Sequence, residues 1–306
     1  MSELFFTVII PTYNRPDEAA ACLAAISRVH YDKHRFEVIV VDDGGSSDLE
    51  SIVLGFQGTL QVRLVRQSNS GPSSARNRGA QSARGQYLLF TDDDCEPDAN
   101  WLAAFDQRLR QLPSHMIGGA VVNGAPQDLY ALASQSVLDS LYEHYNRGSR
   151  GARFFASNNL VVPAKLFEQV GGFNTEFRMA AGEDREFCDR WLQSGYGLAF
   201  APDAVILHRQ RSGLGAYWKQ HFRYGRGALQ YRRLAREAGR AVSFEGLGLY
   251  SDILGRPLRG SWNWRGLRGM CAVAVSQAAV ALGYLYEGIS ASRRQERRSH
   301  LAKNAR

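Results

Sequence analysis

The sequence has few cysteines, and none stands in an arrangement typical of a disulfide framework or a metal site. Its four cysteines are far apart and form no C-x-x-C or Cys/His pattern. It also has no N-x-S/T glycosylation sequon. These absences favour a reducing cytosol over secretion. The N-terminal stretch MSELFFTVII lacks a basic n-region and a small-residue cleavage site, so it predicts a first strand and not a signal peptide.

Glycine-rich phosphate loops are missing as well. No G-x-G-x-x-G follows the first predicted strand, and no G-x-x-x-x-G-K-[ST] occurs in the chain. If the ligand carries phosphates, a glycine cradle is therefore not the main device that holds them. A divalent cation bound by carboxylates is the alternative, and the run TDDD at 91–94 offers the negative charge that it needs.

Charge is distributed unevenly along a chain of otherwise ordinary globular composition. The net charge is +7, yet residues 209–306 contain 19 Lys and Arg against 5 Asp and Glu. The first 208 residues contain 18 Lys and Arg against 25 Asp and Glu, which is a negative balance. This asymmetry indicates two regions with different partners.

The first hundred residues predict an α/β fold, because short apolar runs typical of buried strands alternate with helical patterns. The predicted strands are 5–10, 36–41, 60–65 and 87–90, and the predicted helices are 16–28, 47–55 and 73–84. Alternation at this spacing predicts a mostly parallel sheet flanked by helices.

After residue 100 the pattern is looser. Helices are predicted at 98–111, 128–145 and 183–195, and strands at 118–123, in a pair around 153–163, and at 196–200 and 204–208. From residue 213 onward the chain is predicted to be helical, with a glycine-rich break at 246–269.

Polar clusters follow the four predicted strands: PTYNR, DDGGSSD, SNSGPSSARNRG and TDDD. Ligands of open α/β sheets lie beyond the carboxyl ends of the strands, so these clusters predict one shared site. In an extended segment Asp92 and Asp94 would point to one side and Asp93 to the other. We therefore expect Asp92 and Asp94 to face a ligand or metal, and Asp93 to tolerate replacement. Capping of the next helix is the alternative role for the three carboxylates.

Six motifs follow one another along the chain: TVIIPTYNR, VIVVDDGGSSD, GPSSARNRGA, LLFTDDDCEPD, VGGFNTEF and GEDREFCDRW. Their order and spacing are typical of family 2 glycosyltransferases. The chain resembles that family, with its Rossmann-like GT-A nucleotide-sugar fold, over about residues 5–210. The resemblance implies a catalytic domain at 1–210, with a nucleotide-sugar half at about 1–100 and an acceptor half at about 101–210.

By this resemblance, a nucleoside-diphosphate sugar would bind at the strand ends, with Asp43 on the nucleotide base. The implied donor-binding residues are Pro11, Thr12, Asp42, Asp43, Arg76, Asn77, Asp92 and Asp93. A turn is the alternative interpretation for Asp42 and Asp43, and a solvent-facing helix position is the alternative for Arg76.

The resemblance also implies a divalent metal, Mn²⁺ or Mg²⁺. Asp92 and Asp94 match the family's DxD motif, with Asp94 as a metal ligand and Asp92 near the ribose and the metal. His208 stands where many relatives supply a third ligand, although a lone histidine is often structural.

The motif GEDREF implies the catalytic residues. Asp184 would be the general base that deprotonates the acceptor hydroxyl, and Glu183 a neighbour that assists binding. A carboxylate stabilised by a helix N-terminus is the alternative.

The acceptor side carries weaker signals. DRW at 189–191 is similar to the Q-x-x-R-W signature of processive members, but Phe187 stands in place of the glutamine, which favours transfer of a single sugar. Trp191 and Asn158 are candidates for the acceptor side, and packing is the alternative for Trp191.

The region 211–306 predicts a basic, aromatic helical extension. Residues 217–240 mix aromatic and basic side chains, and the apolar run 270–286 follows SWNWRGLRG at 261–269. These stretches and the basic tail favour an anionic membrane surface over nucleic acid. A solvated basic face with no partner is the other alternative. The run 270–286 is compatible with a helix lying on the membrane, a membrane span or a core helix. We expect a cytoplasmic protein, peripheral at the inner face of the cytoplasmic membrane.

The resemblance implies an inverting, metal-dependent glycosyltransferase that acts on a glycan or lipid-linked acceptor, in cell-surface polysaccharide or glycolipid biosynthesis. A nucleotidyltransferase is the alternative enzyme, although no Gly/Arg/Lys-rich loop follows the first strand. A non-catalytic nucleotide-sugar-binding or membrane scaffold protein is the other alternative. It predicts gaps in the acidic set, and the sequence has none.

Overall fold

A central eight-stranded sheet organises the structure, a computed structural model that describes residues 4–147, 151–210, 213–240, 245–259 and 263–304, with side chains through 292. The strands are β1 (Phe6–Thr12), β2 (Phe36–Asp42), β3 (Val62–Arg66), β4 (Tyr87–Thr91), β5 (Cys95–Pro97), β6 (Met116–Asn123), β7 (Asn159–Pro163) and β8 (Leu198–His208). Their order in the sheet is β3-β2-β1-β4-β7-β6-β8-β5.

Helices cover both faces of this sheet, and the last of them form a separate layer. They are α1 (Pro16–Ser27), α2 (Leu49–Phe56), α3 (Pro72–Gln81), α4 (Trp101–Gln111), α5 (Leu129–Asn146), α6 (Ala164–Val170), α7 (Glu183–Gln193), α8 (Leu214–Glu237), α9 (Leu247–Gly255) and α10 (Trp264–Asn304), with a 3₁₀ turn at Arg256–Leu258.

The predicted α/β class is confirmed. β3, β2, β1 and β4 pair in parallel, and every residue of β2 is buried, as continuous apolar runs predict for strands covered on both faces. The other half of the sheet is mixed, because β7 is antiparallel to both β4 and β6. The parallel strands all end at one edge, which is where a ligand is expected.

Two of the predicted strand assignments are wrong. The strand pair around 153–163 is only β7, because the Asn146 side chain, in place of a strand partner, bonds to the backbone of Arg153 and Phe154. The strands at 196–200 and 204–208 are the single strand β8, whose pairing with β6 shifts register between Gly119 and Ala120.

The predicted break at 246–269 contains a helix, and its residues 260–262 lie outside the described part of the chain. Leu249 and Ile253 stand one helical turn apart and are buried in a cluster with residues of α5 and α10. This apolar contact favours the helix despite the local glycine content.

α8 and α10 cross with their backbones in close contact. A Cβ atom added at Gly225 would meet the Val280 carbonyl oxygen at 1.9 Å, and one at Gly283 would meet the Phe222 carbonyl oxygen at 2.0 Å. The Tyr217 hydroxyl also donates to the Ala272 carbonyl at 2.9 Å. The two helices therefore form one tightly packed unit, in which only glycine fits at the crossing.

The first part of α10 also meets the length and composition of a membrane-crossing helix. The segment Trp264–Ser292 is apolar enough to span, although 33% of its most apolar window is buried inside the protein. The side chains of the basic tail beyond Ser292 lie outside the described residues. The division of the chain into two domains at residue 210 stays a prediction. The helices α8 and α10, which follow this position in the sequence, pack against α7 and α5, which precede it.

We expect Gly283→Ala to lower the free energy of unfolding by about 1–3 kcal/mol, because the new methyl group would overlap a backbone oxygen that cannot move independently. Gly288→Ala, on the same helix, is the matched control, because its Cβ would meet nothing closer than 3.6 Å. That change should be neutral or stabilise by up to about 1 kcal/mol. Chemical denaturation measures both, and equal midpoints would contradict the crossing described above.

Candidate active site

Five segments meet at the edge where the parallel strands end. Thr12 and Asp42 are the last residues of β1 and β2, and the turn Asp92–Asp94 follows β4. Glu183 begins α7, and His208 ends β8. The strand-end clusters thus converge as the sequence predicts.

Arg76, on α3, connects two of these segments through its guanidinium group. One nitrogen lies 2.8 Å from Asp92 Oδ1 and another lies 3.2 Å from Glu183 Oε1. The side chain is buried, and the guanidinium also lies 5.5 Å from the centre of the Phe173 ring. The alternative of a solvent-facing arginine is therefore wrong. Arg76 neutralises carboxylates from both halves of the predicted catalytic domain.

Arg15 provides a second cation, to which the sequence analysis assigned no role. It lies just before α1, and its guanidinium pairs with Asp93 Oδ1 at 2.7 Å and Asp94 Oδ2 at 2.9 Å. The same side chain reaches Glu18 at 3.2 Å. Its place in the cluster PTYNR, which follows β1, is the signal that could have identified it.

The segment 92–94 is a turn, so the extended conformation assumed for it is wrong. The Cys95 N–H donates to the Asp92 carbonyl at 3.1 Å, which closes the turn. Asp93 is 4% exposed and accepts a hydrogen bond of 2.8 Å from the Thr12 hydroxyl. Burial and the charge of Asp94 raise the pKa of Asp93 to about 7, against the lowering effect of Arg15. The expectation that Asp93 tolerates replacement depended on an extended segment. Because the segment is a turn, that expectation no longer has a structural reason.

The acidic pair at the start of α7 is held in a largely dry environment. Glu183 is 2% exposed, and its Oε2 and the Asp184 Oδ1 have no hydrogen-bond partner among the described residues. Burial and the charge of Asp184 raise the pKa of Glu183, and burial raises that of Asp184 despite the opposing effects of Arg76 and Ser157. A carboxylate with a raised pKa and an unpaired oxygen suits proton abstraction near neutral pH.

Asp94 and His208 are placed to hold a cation. Asp94 Oδ1 lies 3.3 Å from His208 Nε2, and the Cys95 sulfur completes a group whose ligand atoms all lie within 4.8 Å. The thiol is a poor ligand here, because burial raises its pKa well above the usual value. The carboxylate donor suits Mn²⁺ or Mg²⁺ and the imidazole suits them less well. Asp92, whose Oδ1 is paired to Arg76, is the adjoining carboxylate.

The two carboxylates after β2 order the neighbouring loops. Asp43 accepts hydrogen bonds from Gln67 Nε2 at 2.7 Å, from the Ser70 N–H at 2.8 Å and from the Gly71 N–H at 2.9 Å. Asp42 accepts from the Gly45 N–H at 2.8 Å. Both are buried at the strand end beside Pro11, which is half-buried.

Three other predicted residues differ in their surroundings. Asn77 exchanges hydrogen bonds of 2.8 and 2.9 Å with the backbone of Phe173, which fastens the VGGFN segment to α3. Trp191 is fully buried and donates to the Gly197 carbonyl at 3.1 Å, so its position favours packing. Asn158 is 6% exposed, with a buried Oδ1 that has no partner among the described residues.

This sheet, with a carboxylate turn and an acidic helix start at one edge, defines the GT-A-like class of glycosyltransferases. Residues 7–179 match the profile of "Glycosyl transferase family 2", and residues 99–292 match that of "Glycosyl transferase family group 2". The chain belongs to glycosyl transferase family 2.

Curated relatives agree with this assignment. Glycosyltransferase AglE of Haloferax volcanii is 30% identical over 257 residues, which are 83% of this chain and 82% of that protein. Hyaluronan synthase of Pasteurella multocida is 28% identical over 244 residues, which are 68% of this chain but only 25% of that protein.

Solved structures show the same fold at lower identity. The mannosyltransferase PcManGT from Pyrobaculum calidifontis, in complex with GDP-Man and Mn²⁺, matches with a TM-score of 0.61 at 21% identity, over 100% of this chain and 85% of that one. Residues 1–349 of S. aureus TarS, in complex with UDP-GlcNAc, match with a TM-score of 0.55 at 17% identity, over 96% of this chain and 92% of that one.

We expect Asp93→Asn to lower the free energy of unfolding by about 1–2 kcal/mol, because the amide has one acceptor oxygen and cannot serve both Arg15 and the Thr12 hydroxyl. Asp203→Asn is the control, since Asp203 is exposed and has no ion pair among the described residues. Its effect should stay within about 0.5 kcal/mol. Equal unfolding midpoints for the two variants would restore the view that Asp93 is replaceable.

Proposed function

We propose that this protein is an inverting glycosyltransferase that moves one sugar from a nucleoside-diphosphate sugar to a hydroxyl of a glycan or lipid-linked acceptor. The observation that carries the proposal is the ion-paired bridge from Asp92 through Arg76 to Glu183, because it sets the carboxylate turn beside the acidic pair. In this proposal the donor and the base belong to the same edge of the sheet.

The donor would lie over the ends of β1, β2 and β4. Pro11 and Thr12 flank this position. Asp43 faces the nucleotide base, and it can accept one more hydrogen bond beyond the three that it accepts from its own chain. When bound, Mn²⁺ or Mg²⁺ supplies positive charge that stabilises the departing diphosphate. Asp94 and His208 would hold it, with Asp92 alongside.

In the transfer step Asp184 takes the proton of the acceptor hydroxyl. The hydroxyl oxygen forms a bond to the anomeric carbon while the bond from that carbon to the diphosphate oxygen breaks, so the nucleoside diphosphate leaves with the electron pair. A single displacement of this kind inverts the anomeric configuration. Arg76 keeps a positive charge beside the acidic pair, which favours the ionised state that a base requires.

Two findings support a nucleoside-diphosphate sugar as the donor. Solved structures of the same fold hold GDP-Man with Mn²⁺ and UDP-GlcNAc. The family assignment itself disfavours the nucleotidyltransferase alternative, which would release pyrophosphate. A thermal-shift screen of UDP, GDP, dTDP and CDP with and without Mn²⁺ identifies the nucleotide, since stabilisation grows with affinity.

We expect Asp184→Asn to reduce sugar transfer by roughly 10²–10⁴-fold, because the amide cannot accept the proton. Nucleotide binding should stay close to that of the wild type, because the base does not hold the donor. The assay measures release of nucleoside diphosphate from a panel of nucleotide sugars, with Asp203→Asn as the control. Turnover near the wild-type level would contradict the role of Asp184 as the base. Release of pyrophosphate would favour a nucleotidyltransferase.

We also propose that the protein works on an anionic membrane, with α10 lying on its surface. The exposed residues of α10 between 271 and 289 are Cys271, Ala274, Ala278, Ala281, Leu282, Leu285, Tyr286 and Ile289. None of them is charged. Trp264, Arg265 and Arg268 are exposed at the start of the same helix, where an aromatic residue and cations suit the headgroup region.

The opposite face of α10 favours a helix on the membrane over one that spans it. Val273, Ser276 and Ala279 are fully buried, and Gly283 touches the backbone of α8. A spanning helix would have to leave these contacts. A helix lying in the plane of the membrane keeps these contacts. It buries only the exposed, uncharged residues of α10 named above, which we call the apolar stripe.

We expect Leu285→Glu to weaken binding to phosphatidylserine-containing vesicles by roughly tenfold, because it places a charge in the apolar stripe. Leu54→Glu on α2 is the matched control, since the two leucines are 60% and 57% exposed. Cosedimentation with anionic and with purely zwitterionic vesicles measures the effect. Equal binding of the two variants, or binding that ignores lipid charge, would contradict this surface.

A further inference from the structure

The middle of α8 contacts the loop that directly precedes the acidic pair. A Cβ atom at Gly227 would meet the Ala181 carbonyl oxygen at 2.2 Å, and one at Gly182 would meet the Gly227 carbonyl oxygen at 2.8 Å. Gly182, whose φ is 87°, is the residue directly before Glu183. The two backbones therefore touch immediately beside the site, and α8 forms a wall next to the general base.

Tyr224 lies on this wall, one helical turn before Gly227. Its ring is edge-on to His221 at 5.4 Å, and its hydroxyl accepts a hydrogen bond of 2.7 Å from Gln220 Nε2. Burial and the charges of Asp184, Glu183 and Asp92 raise the pKa of this hydroxyl. The side chain is nevertheless 41% exposed, so a ligand beside the acidic pair can reach it.

Three buried polar atoms of the acidic pair and of Asn158, whose neighbour Ser157 bonds to Asp184, lack partners in the described part of the chain. Asn158 Oδ1, Glu183 Oε2 and Asp184 Oδ1 are all without a hydrogen bond among the described residues. Asn158 and Glu183 are 6% and 2% exposed. Unpaired buried acceptors are uncommon, and they suit a ligand that brings several hydroxyl donors.

We propose that Tyr224 and Gln220 of α8 form the subsite for the acceptor sugar, together with Asn158. The inference rests on the proposed function, because it places a pyranose ring where Asp184 can reach its hydroxyl. The Tyr224 ring would contact the apolar C–H face of the sugar. Its hydroxyl, which accepts from Gln220, is free to donate to a sugar oxygen, and Gln220 Oε1 accepts from a sugar hydroxyl.

The position of the donor separates this subsite from nucleotide binding. The nucleotide belongs over the ends of β1, β2 and β4, whereas α8 contacts the chain on the side of α7. Variants of Tyr224 should therefore affect the acceptor alone. No aromatic motif in the sequence pointed to this residue, since Tyr224 stands within a stretch interpreted as a membrane surface.

The test uses full-length Tyr224→Ala, with nucleoside diphosphate release measured against simple methyl and p-nitrophenyl glycosides. We expect the acceptor KM to rise at least tenfold, while nucleotide affinity with Mn²⁺ and hydrolysis of the donor by water stay within twofold. Tyr224→Phe should raise the acceptor KM about threefold, and it keeps the test valid if the alanine variant does not fold. Tyr250→Ala on α9, where the side chain is 40% exposed, is the control.

The outcomes distinguish the two proposals. An acceptor KM within twofold of the wild type in both Tyr224 variants, or an equal loss of donor affinity, overturns the subsite and leaves the proposed function standing. A wild-type protein that neither transfers sugar from any nucleotide sugar nor hydrolyses it overturns both.

Discussion

The buried guanidinium of Arg76 is the interaction on which the site depends. Each carboxylate that is removed from water loses several kcal/mol of solvation free energy, and a nearby cation has to offset this loss. Arg76 pairs with Asp92, 16 residues away, and with Glu183, 107 residues away, so one charge fixes the contact between distant parts of the chain. Arg15 does the same for Asp93 and Asp94. Together the two arginines face more carboxylates than they can neutralise, and the remaining negative charge suits a divalent cation.

The glycine contacts extend this rigid arrangement into the C-terminal helices. α10 touches α8 through Gly283 and Gly225, and α8 touches the residue before the acidic pair through Gly227. Each contact is between backbones, so none of the three elements can shift alone. The basic region, which the sequence separates from the catalytic part by charge, is therefore a direct support of the acidic pair. Attachment to a membrane through α10 would place that pair at a fixed height above the lipid.

Much of the fold and of the site could be predicted from the sequence, and the failures have a common cause. β1, β2 and β4 were predictable because an apolar run specifies a buried strand by itself, and the strand-end clusters followed from topology. The conformation of Asp93 was not predictable, since Thr12 and Arg15, about 80 residues away, determine it. The helix α9 forms for a similar reason: its contacts with α5 and α10 outweigh a local pattern that favours a break.

The hydrogen bonds of the residues after β2 support a role in the turn and leave room for the proposed ligand contact. Asp43 accepts three hydrogen bonds that order the chain from Gln67 to Gly71, and a carboxylate has about four acceptor sites. The loop bonds hold the carboxylate in one orientation, so its remaining acceptor site has a defined direction. Asn77 differs, because its amide oxygen and nitrogen both bond to the Phe173 backbone. A motif can therefore contain residues that meet the ligand and residues that only hold them in place, and the bonds that each side chain has left to make separate the two.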